Sequence, residues 1–210
     1  MHLLNDVKLK LVQFNLIPDA WIQRRLQQDL QRWEREPGAP IPHLLKQRVV
    51  LNYAATTGAR IFVETGTYYG DMLQACLAHF DQLVSFEIEE HFYERAERRF
   101  GENSKVTLLH GDSGKLLPEV LRTIERSCLF WLDAHYSCGL TGRAALETPI
   151  CRELEAIFRH PLRHTILIDD ANAFDGTHDY PAIAWVDNAA HNAGYSFSLS
   201  QNIVRLVGVA

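Results

Sequence analysis

The stretch that decides the fold is Ile61-Phe-Val-Glu-Thr-Gly-Thr-Tyr-Tyr-Gly70. Three consecutive apolar residues followed by a glycine-containing turn are typical of a buried strand that leads into a helix. A dinucleotide-binding turn needs Gly-x-Gly-x-x-Gly, because pyrophosphate must approach bare backbone at the helix N-terminus. When Gly66 is aligned with the second glycine of that pattern, Glu64 takes the first position, where a carboxylate would repel pyrophosphate. The turn favours a ligand with a positive group, such as an amino acid or a sulfonium.

From residue 59 onward, short apolar strands alternate with helices. The predicted strands are Arg60–Glu64, Gln82–Glu87, Val106–His110, Ser127–Asp133 and Thr165–Asp169. The predicted helices are Gly70–Phe80, Glu90–Phe100, Gly114–Arg126 and Thr148–His160. Regular alternation of this kind implies right-handed crossovers, so we expect an α/β fold with a mainly parallel sheet and helices on both faces.

The end of the chain follows a different pattern. Two further strands, Tyr195–Ser200 and Ile203–Val209, are separated by Gln201 and Asn202 alone. Two residues are too few for a crossover, so these strands must form an antiparallel hairpin. The prediction is a seven-stranded sheet that ends in a C-terminal antiparallel hairpin.

Residues 1–58 predict an N-terminal helical cap, and residues 59–210 predict the α/β domain. In residues 18–33 the apolar side chains recur at helical spacing, with arginines and glutamines on the other face. A proline-rich connector at residues 36–42 separates this segment from a second predicted helix, residues 43–57, which Gly58 ends. Core packing is the first expectation for the cap, followed by a lid or a dimer contact, so a homodimer is one expected assembly.

Every predicted parallel strand is followed by or ends in a carboxylate. These residues are Glu64, Glu87, Asp112, Asp133 and the pair Asp169-Asp170. In an open parallel sheet, ligands bind beyond the carboxyl ends of the strands. Five acidic strand ends in succession therefore indicate a binding site at that edge of the sheet.

The pattern resembles the Rossmann-like, class I S-adenosylmethionine-dependent methyltransferases. Their first motif, acidic-x-Gly-x-x-x-Gly, is matched by Glu64, Gly66 and Gly70. Their second, an acidic residue at the end of the next strand, is matched by Glu87, which lies 23 residues after Glu64. At that spacing a carboxylate can bind ribose hydroxyls. The resemblance covers residues 59–210 and implies binding of S-adenosylmethionine.

The same resemblance implies further cofactor contacts. The residues concerned are Thr67, Asp112, Ser113 and Asp133. Asp112 matches the acidic residue that often follows the third strand, near the adenine. Within the class, residues 63–71 and 131–137 look like a bacterial subgroup of uncharacterised methyltransferases.

A metal site is predicted where the fourth and fifth strands end. Asp133, Asp169 and Asp170 would converge there, and three close carboxylates repel one another unless they are protonated or bridged by a cation. Oxygen ligands select a hard ion such as Mg²⁺. The arrangement is similar to the metal-dependent O-methyltransferases of small molecules.

That similarity also implies a catalytic base two residues after the first metal ligand. An acidic residue stands there in the branch that acts on sugars and antibiotics, whereas this chain has His135. The resemblance therefore implies Asp133 and His135 as catalytic residues, with His135 taking the proton of an acceptor hydroxyl near neutral pH. In the catechol-type branch a lysine stands three residues after the ligand, where this chain has Tyr136.

Structural roles for the same residues stay open. Asp170 or Asn172 can cap the helix or turn that follows, Asp133 can contact cofactor alone, and His135 can be a plain loop histidine. Residues 136–149 and 174–181 are two candidate loops for recognition of a small-molecule acceptor such as a sugar, phenol or natural product. A non-catalytic S-adenosylmethionine-binding scaffold is an alternative, as is a methyltransferase that acts on a macromolecule.

Composition limits these alternatives. Hydrophobic residues make up 47% and charged residues 22% of the 210 residues, which excludes a disordered or fibrous protein. The net charge is 21 − 26 = −5, so no basic surface predicts nucleic-acid binding. The cysteines form no Cys-x-x-Cys pair, and the sequence shows no signal-peptide layout and no membrane-length apolar run. We therefore expect a cytoplasmic protein with no membrane or nucleic-acid partner.

Overall fold

The computed structural model describes residues 24, 28, 31–33, 35–36, 41–134 and 148–209. Most of the predicted helix at residues 18–33 and most of the candidate loop at residues 136–149 lie outside these residues. The chain divides into two compact units, residues 1–49 and residues 50–210. The predicted domain boundary between residues 58 and 59 stays a prediction.

From residue 41 to residue 209, seven strands and six α-helices follow one another in the described residues. The strands are β1 Ile61–Thr65, β2 Gln82–Glu87, β3 Val106–His110, β4 Leu129–Leu132, β5 Thr165–Ile168, β6 Tyr195–Ser200 and β7 Ile203–Gly208. The helices are α1 His43–Thr57, α2 Asp71–Cys76, α3 Glu90–Phe100, α4 Ser113–Leu121, α5 Ile150–Arg159 and α6 Ile183–Asn192, with a 3₁₀ turn at Ala171–Ala173.

The strands form a single sheet in the order β3-β2-β1-β4-β5-β7-β6. Strands β1 to β5 are parallel, and β7 runs antiparallel between β5 and β6. Gln201 and Asn202 join β6 to β7 with positive φ at both residues, the conformation of a tight two-residue hairpin turn. The predicted architecture is confirmed, including the C-terminal hairpin.

Several predicted boundaries were wrong by a few residues. The helix predicted from Gly70 begins at Asp71, because Gly70 has a φ of +76° that a right-handed helix does not allow. It ends at Cys76, and the chain then turns so that Phe80 packs against Phe62 with 5.2 Å between ring centroids. The strand predicted from Ser127 is paired over Leu129–Leu132 alone.

Two helices were also misjudged from the sequence. Helix α4 spans Ser113–Leu121 rather than 114–126, and α6 was not predicted at all. The sequence of α6, IAWVDNAAHN, contains few large apolar residues, so its helical periodicity is weak. Its buried positions are Val186 and Ala190.

The central strands are buried on both faces, as parallel strands covered by helices must be. All residues of β1, β4 and β5 are buried, and the side chains of α5 complete the core on one face with Leu154 and Ile157. This packing places the carboxyl ends of β1, β2, β4 and β5 along one edge. No helix in the described part of the chain is long and apolar enough to cross a membrane.

Candidate cofactor and metal site

The turn after β1 depends on two glycines. Gly66 has a φ of +87°, and a Cβ there would lie 2.7 Å from the backbone oxygen of Asp133. Gly70 has a φ of +76°, and a Cβ there would lie 2.7 Å from the ring of Phe100. A side chain at either position would therefore meet both backbone strain and a close contact. Gly66 brings the turn directly against the end of β4.

Glu64 lies beneath this turn rather than on the surface. Its side chain is 1% exposed, and Oε1 accepts a 2.6 Å hydrogen bond from the hydroxyl of Ser85 on β2. The Ser85 hydroxyl is also 2.5 Å from the Thr67 hydroxyl. Burial raises the pKa of Glu64 to about 8, an effect that the Ser85 hydrogen bond partly offsets. Glu64 and Ser85 thus support the turn from within.

Glu87 ends β2 and holds the other side of the turn. Oε2 accepts a 2.7 Å hydrogen bond from the backbone N–H of Tyr68, and Oε1 accepts one of 2.9 Å from Glu89. Tyr68 has a φ of +48°, an uncommon conformation for a residue with a Cβ. Burial raises the pKa of Glu87, and the backbone hydrogen bonds act in the opposite direction. The carboxylate therefore fixes a strained residue at the carboxyl edge.

Asp112 begins the next helix. Its Oδ1 accepts a 3.0 Å hydrogen bond from the N–H of Gly114, so it is the N-cap of α4, and Oδ2 lies 3.3 Å from Nζ of Lys115. A cap of this kind satisfies one of the free N–H groups at the start of a helix. The adjacent Ser113 is buried, and its hydroxyl points to Glu153.

Glu153 is a buried carboxylate at this edge that was not predicted. It lies in the first turn of α5, and its Oε1 accepts a 2.5 Å hydrogen bond from Ser113. Burial raises the pKa of Glu153 to about 7, while the hydroxyls of Ser113 and Thr65 lower it. The sequence does carry a signal for it, because Glu153 stands at helical spacing among the apolar residues Ile150, Leu154 and Ile157.

The three predicted metal ligands come together. Carboxylate oxygens of Asp133, Asp169 and Asp170 all lie within 4.8 Å of one another. Asp169 is 3% exposed, and its Oδ1 accepts a 2.9 Å hydrogen bond from the N–H of Asp170, which has a φ of +50°. The turn after β5 therefore directs two successive aspartates toward the end of β4.

Asn202, from the hairpin turn between β6 and β7, holds the segment that follows Asp170. Its Nδ2 donates to Oδ1 of Asn172 at 2.6 Å and to Oδ1 of Asp170 at 3.4 Å. Its Oδ1 accepts from the N–H of Asn172 at 2.7 Å, and its backbone oxygen accepts from Ala171 at 2.9 Å. Sequence reasoning missed these contacts because the partners are 30 to 32 residues from Asn202 along the chain.

A small recess opens beside the aspartates. The side chains that line it include Asp133, Thr148, Glu153, Asp169, Phe174 and Tyr180. Phe174 and Tyr180 belong to the candidate acceptor loop at residues 174–181 and contact each other edge to face, with 5.2 Å between ring centroids. Thr148 belongs to the other candidate loop, residues 136–149, so described residues of both candidate loops border the recess. His135, the predicted base, lies outside the described residues.

No protein-family model and no curated protein sequence matches the chain. Solved structures do match it. The S-adenosylhomocysteine-bound methyltransferase PaMTH1 of Podospora anserina is 14% identical, with a TM-score of 0.54, over 92% of this chain and 89% of that one. The O-methyltransferase TomG of Streptomyces achromogenes, involved in tomaymycin synthesis and solved with S-adenosylmethionine, is 17% identical, with a TM-score of 0.50, over 88% and 89%. The N-methyltransferase NodS of Bradyrhizobium japonicum is 12% identical, with a TM-score of 0.51, over 79% and 95%.

The chain therefore has the Rossmann-like fold of S-adenosylmethionine-dependent methyltransferases. At these identities the likeness shows the fold alone. The same fold is shared by enzymes described as O- and N-methyltransferases, so the acceptor must be argued from the site.

Proposed function

We propose that this chain is an S-adenosylmethionine-dependent methyltransferase that methylates a hydroxyl of a small metabolite with the help of Mg²⁺ or another hard divalent cation. The observation that carries the proposal is the cluster of Asp133, Asp169 and Asp170, whose oxygens lie within 4.8 Å of one another. This cluster stands at the carboxyl edge of a methyltransferase fold, where ligands of open α/β sheets bind.

The donor set at this edge fits S-adenosylmethionine. The sulfonium and ammonium groups of the cofactor are positive, and Glu87 is the acidic residue of the turn that would receive it, while the buried Glu64 would support the turn from beneath. A carboxylate has about four acceptor sites. Each Glu87 oxygen accepts a backbone N–H from Tyr68 or Glu89, which leaves capacity for a ribose hydroxyl. Gly66, Thr67, Gly70, Asp112 and Ser113 would shape the rest of the cofactor site.

The aspartate cluster fits a hard cation. All three side chains offer carboxylate oxygens, and an all-oxygen set suits Mg²⁺ and Ca²⁺ best, because Zn²⁺ and copper sites usually include His or Cys. A cation would also offset the repulsion among three negative groups held so close together. Asn202 orients the segment that carries Asp170, as hydrogen-bonded neighbours commonly orient metal ligands.

When bound, S-adenosylmethionine would supply an electrophilic methyl group, and the divalent cation would lower the pKa of the acceptor hydroxyl. Glu87 would bind the ribose hydroxyls and so orient the cofactor in the site. Asp133, Asp169 and Asp170 would hold the cation beside the recess, where Phe174 and Tyr180 would exclude water. His135 would take the hydroxyl proton on a ring nitrogen, since an unperturbed imidazole titrates near neutral pH. Most of the rate enhancement would come from positioning.

The recess favours a neutral or cationic acceptor. Among the described residues that line it, Asp133, Glu153 and Asp169 are acidic and none is Lys or Arg. A sugar, a phenol or a hydroxylated natural product would therefore bind beside this acidic lining more readily than a phosphorylated or carboxylated one.

Calorimetric titration tests the proposal directly. S-adenosylhomocysteine is titrated into the wild type with and without Mg²⁺, and the same is done for Glu87→Ala, Asp169→Asn and the exposed control Glu102→Gln. We expect Glu87→Ala to weaken cofactor binding about tenfold or more, because hydrogen bonds to charged groups are worth roughly 1.5–3 kcal/mol. Asp169→Asn should abolish the Mg²⁺ isotherm and leave cofactor binding in place.

Each part of the proposal can fail separately. Cofactor binding without a Mg²⁺ isotherm in the wild type would refute the metal site and leave a metal-independent methyltransferase or a scaffold. Absence of cofactor binding would refute the function itself. If both ligands bind, a screen of sugar and phenolic acceptors for S-adenosylhomocysteine release identifies the substrate.

A further inference from the structure

Arg205 is a buried charged residue near the start of β7 that the proposed function has not yet used. It is 8% exposed and stands between Val204 and Leu206, which are fully buried. Its Nη1 donates hydrogen bonds to the backbone oxygen of Ser200 at 2.6 Å and to that of Ile203 at 3.0 Å. Arg205 therefore joins the last residue of β6 to the first residue of β7 across the hairpin turn.

Packing alone does not explain an arginine at this position. Among the described residues its charge has no Asp or Glu partner, and burial lowers its pKa, with Tyr53 of α1 acting in the opposite direction. The guanidinium nevertheless stays charged in a folded protein. Burial of a charge has a large desolvation cost, and apolar residues of similar volume are often neutral or stabilising in place of buried charges. The hydrogen bonds to the turn are the contribution of Arg205 that an apolar residue would lack.

The turn that Arg205 holds contains two residues in the left-handed region. Gln201 has a φ of +51° and Asn202 a φ of +55°, whereas turns of this kind favour glycine at the second position. Residues in sparsely populated conformations persist where the surrounding structure holds them. Arg205 supplies such support, because its Nη2 also donates to Oε1 of Gln201 at 3.2 Å. Its guanidinium thus bonds to three of the four residues of the turn.

Asn202 links this turn to the aspartates. Its backbone oxygen accepts a hydrogen bond from the N–H of Ala171 at 2.9 Å, and its Oδ1 accepts one from the N–H of Asn172 at 2.7 Å. Strand β7 also pairs with β5, the strand that leads into Asp169. A displacement of the turn would therefore displace the segment that begins at Asp170.

We propose that Arg205 is a positioning residue of the metal site, which acts through the hairpin turn and Asn202 on the aspartates after β5. This role rests on the proposed function, which assigns a divalent cation to those aspartates. Arg205 fixes the turn, the turn places Asn202, and Asn202 orients the segment that carries Asp170. Arg205 itself bonds to the turn and to none of the proposed ligands, so its removal leaves every ligand in place.

Two substitutions separate the hydrogen bonds of Arg205 from its packing. Arg205→Met keeps a long unbranched side chain and removes every hydrogen bond to the turn. Arg205→Lys keeps the positive charge but loses the planar fork of donors. Arg60→Met is the matched control, because Arg60 bonds to His79 and Asp81 and not to the turn.

Hydrogen exchange tests the link from Arg205 to the aspartate segment in the absence of metal. In Arg205→Met, the amides of Ala171 and Asn172 should exchange about tenfold faster than in the wild type, because their acceptor Asn202 is held less firmly. Arg205→Lys should give an intermediate rate, and Arg60→Met should exchange like the wild type.

Calorimetric titration tests the effect on the metal site. Arg205→Met should bind Mg²⁺ about tenfold more weakly than the wild type, which is the lower end of the effect for residues that orient metal ligands. Arg205→Lys should fall between the two, and Arg60→Met should match the wild type. The affinity for S-adenosylhomocysteine should stay unchanged in all three variants, because the turn after β1 is formed by other elements.

The outcomes distinguish this role from the proposed function. A wild type that gives no Mg²⁺ isotherm would refute the metal site and this role with it. Equal Mg²⁺ affinities of Arg205→Met and the wild type, or unchanged exchange at Ala171 and Asn172, would overturn the role of Arg205 alone. Equally accelerated exchange at Asp169, whose N–H bonds to Leu132 of β4, would also overturn it, by showing a general loosening of the sheet. If Arg205→Met does not fold, Arg205→Lys decides by the same two measurements.

Discussion

The Ser113 hydroxyl donates a 2.5 Å hydrogen bond to Oε1 of Glu153, and the two residues belong to different helices that begin at the same edge of the sheet. Both side chains are buried, so truncation of Ser113 leaves a buried carboxylate without this partner. The pair therefore connects the β3–α4 turn, which the resemblance assigns to the adenine, with the recess beside the aspartates.

Ser113→Ala should lower the free energy of unfolding by about 1–3 kcal/mol, because it removes a hydrogen bond from a buried carboxylate. Urea unfolding at neutral pH measures the change. The control Ser198→Ala removes an exposed hydroxyl and should change stability by less than about 0.5 kcal/mol. Equal effects of the two substitutions would show that the Ser113–Glu153 contact contributes little.

Glu64 should make stability fall as pH rises. Burial raises its pKa from 4.5 to about 8, so the folded state keeps a proton that the unfolded state loses. The stabilisation by neutral Glu64 is complete below about pH 4.5 and is lost as pH rises through about 8. Glu64→Gln removes this titration, and the difference in unfolding free energy between variant and wild type should grow in favour of the variant from pH 5 to pH 8. A constant difference would contradict the prediction.

Gly66→Ala should be more harmful than Gly58→Ala. Both glycines have positive φ, +87° and +66°, but a Cβ at Gly66 would lie 2.7 Å from the Asp133 oxygen, whereas a Cβ at Gly58 has no atom within 4 Å. The loss of unfolding free energy in Gly58→Ala measures the effect of positive φ alone, roughly 1 kcal/mol. Gly66→Ala should cost more than this in thermal unfolding and should weaken S-adenosylhomocysteine binding. Similar losses for the two variants would exclude a role for the Asp133 contact.

Asn202→Gly should weaken Mg²⁺ binding while the hairpin is retained. Glycine tolerates the φ of +55° at this position but cannot bond to Asn172 or Asp170. Loss of residues that orient metal ligands commonly costs 10–100-fold in affinity. The control Gln201→Gly changes the other turn residue, which has a φ of +51° and does not bond to the aspartate segment. Calorimetric titration with Mg²⁺ measures the affinity of both variants. Equal Mg²⁺ affinities would refute the role of Asn202.

His164 should destabilise the protein in acid. Its Nδ1 accepts a 3.1 Å hydrogen bond from the N–H of Cys128, and burial lowers its pKa to about 4. The stabilisation by the neutral ring is complete above about pH 6.5 and is lost as pH falls toward 4. His164→Asn keeps an acceptor that does not titrate and should reduce the loss of stability between pH 6.5 and pH 4.5, whereas the exposed control His79→Asn should not.

Local pattern predicted most of the fold. The bounds of β2, β3, α1 and α3 follow from apolar periodicity and from the residues that begin and end each element, and the structure has them as predicted. The two residues between β6 and β7 excluded a crossover and so determined the hairpin. Helix α6 was missed because alanine-rich segments show little of the hydrophobic periodicity on which these predictions depend.

By itself the sequence determined the order of strands and helices and the carboxylates at the strand ends, because hydrophobic period, turn residues and chain connectivity are local properties. The tertiary structure decided what each carboxylate contacts. It placed Glu64 beneath the turn against Ser85, joined Glu153 to Ser113, and tied the Asp170 segment to Asn202. These partners are 21, 40 and 32 residues apart, and such contacts depend on how crossovers and sheet register bring distant segments together.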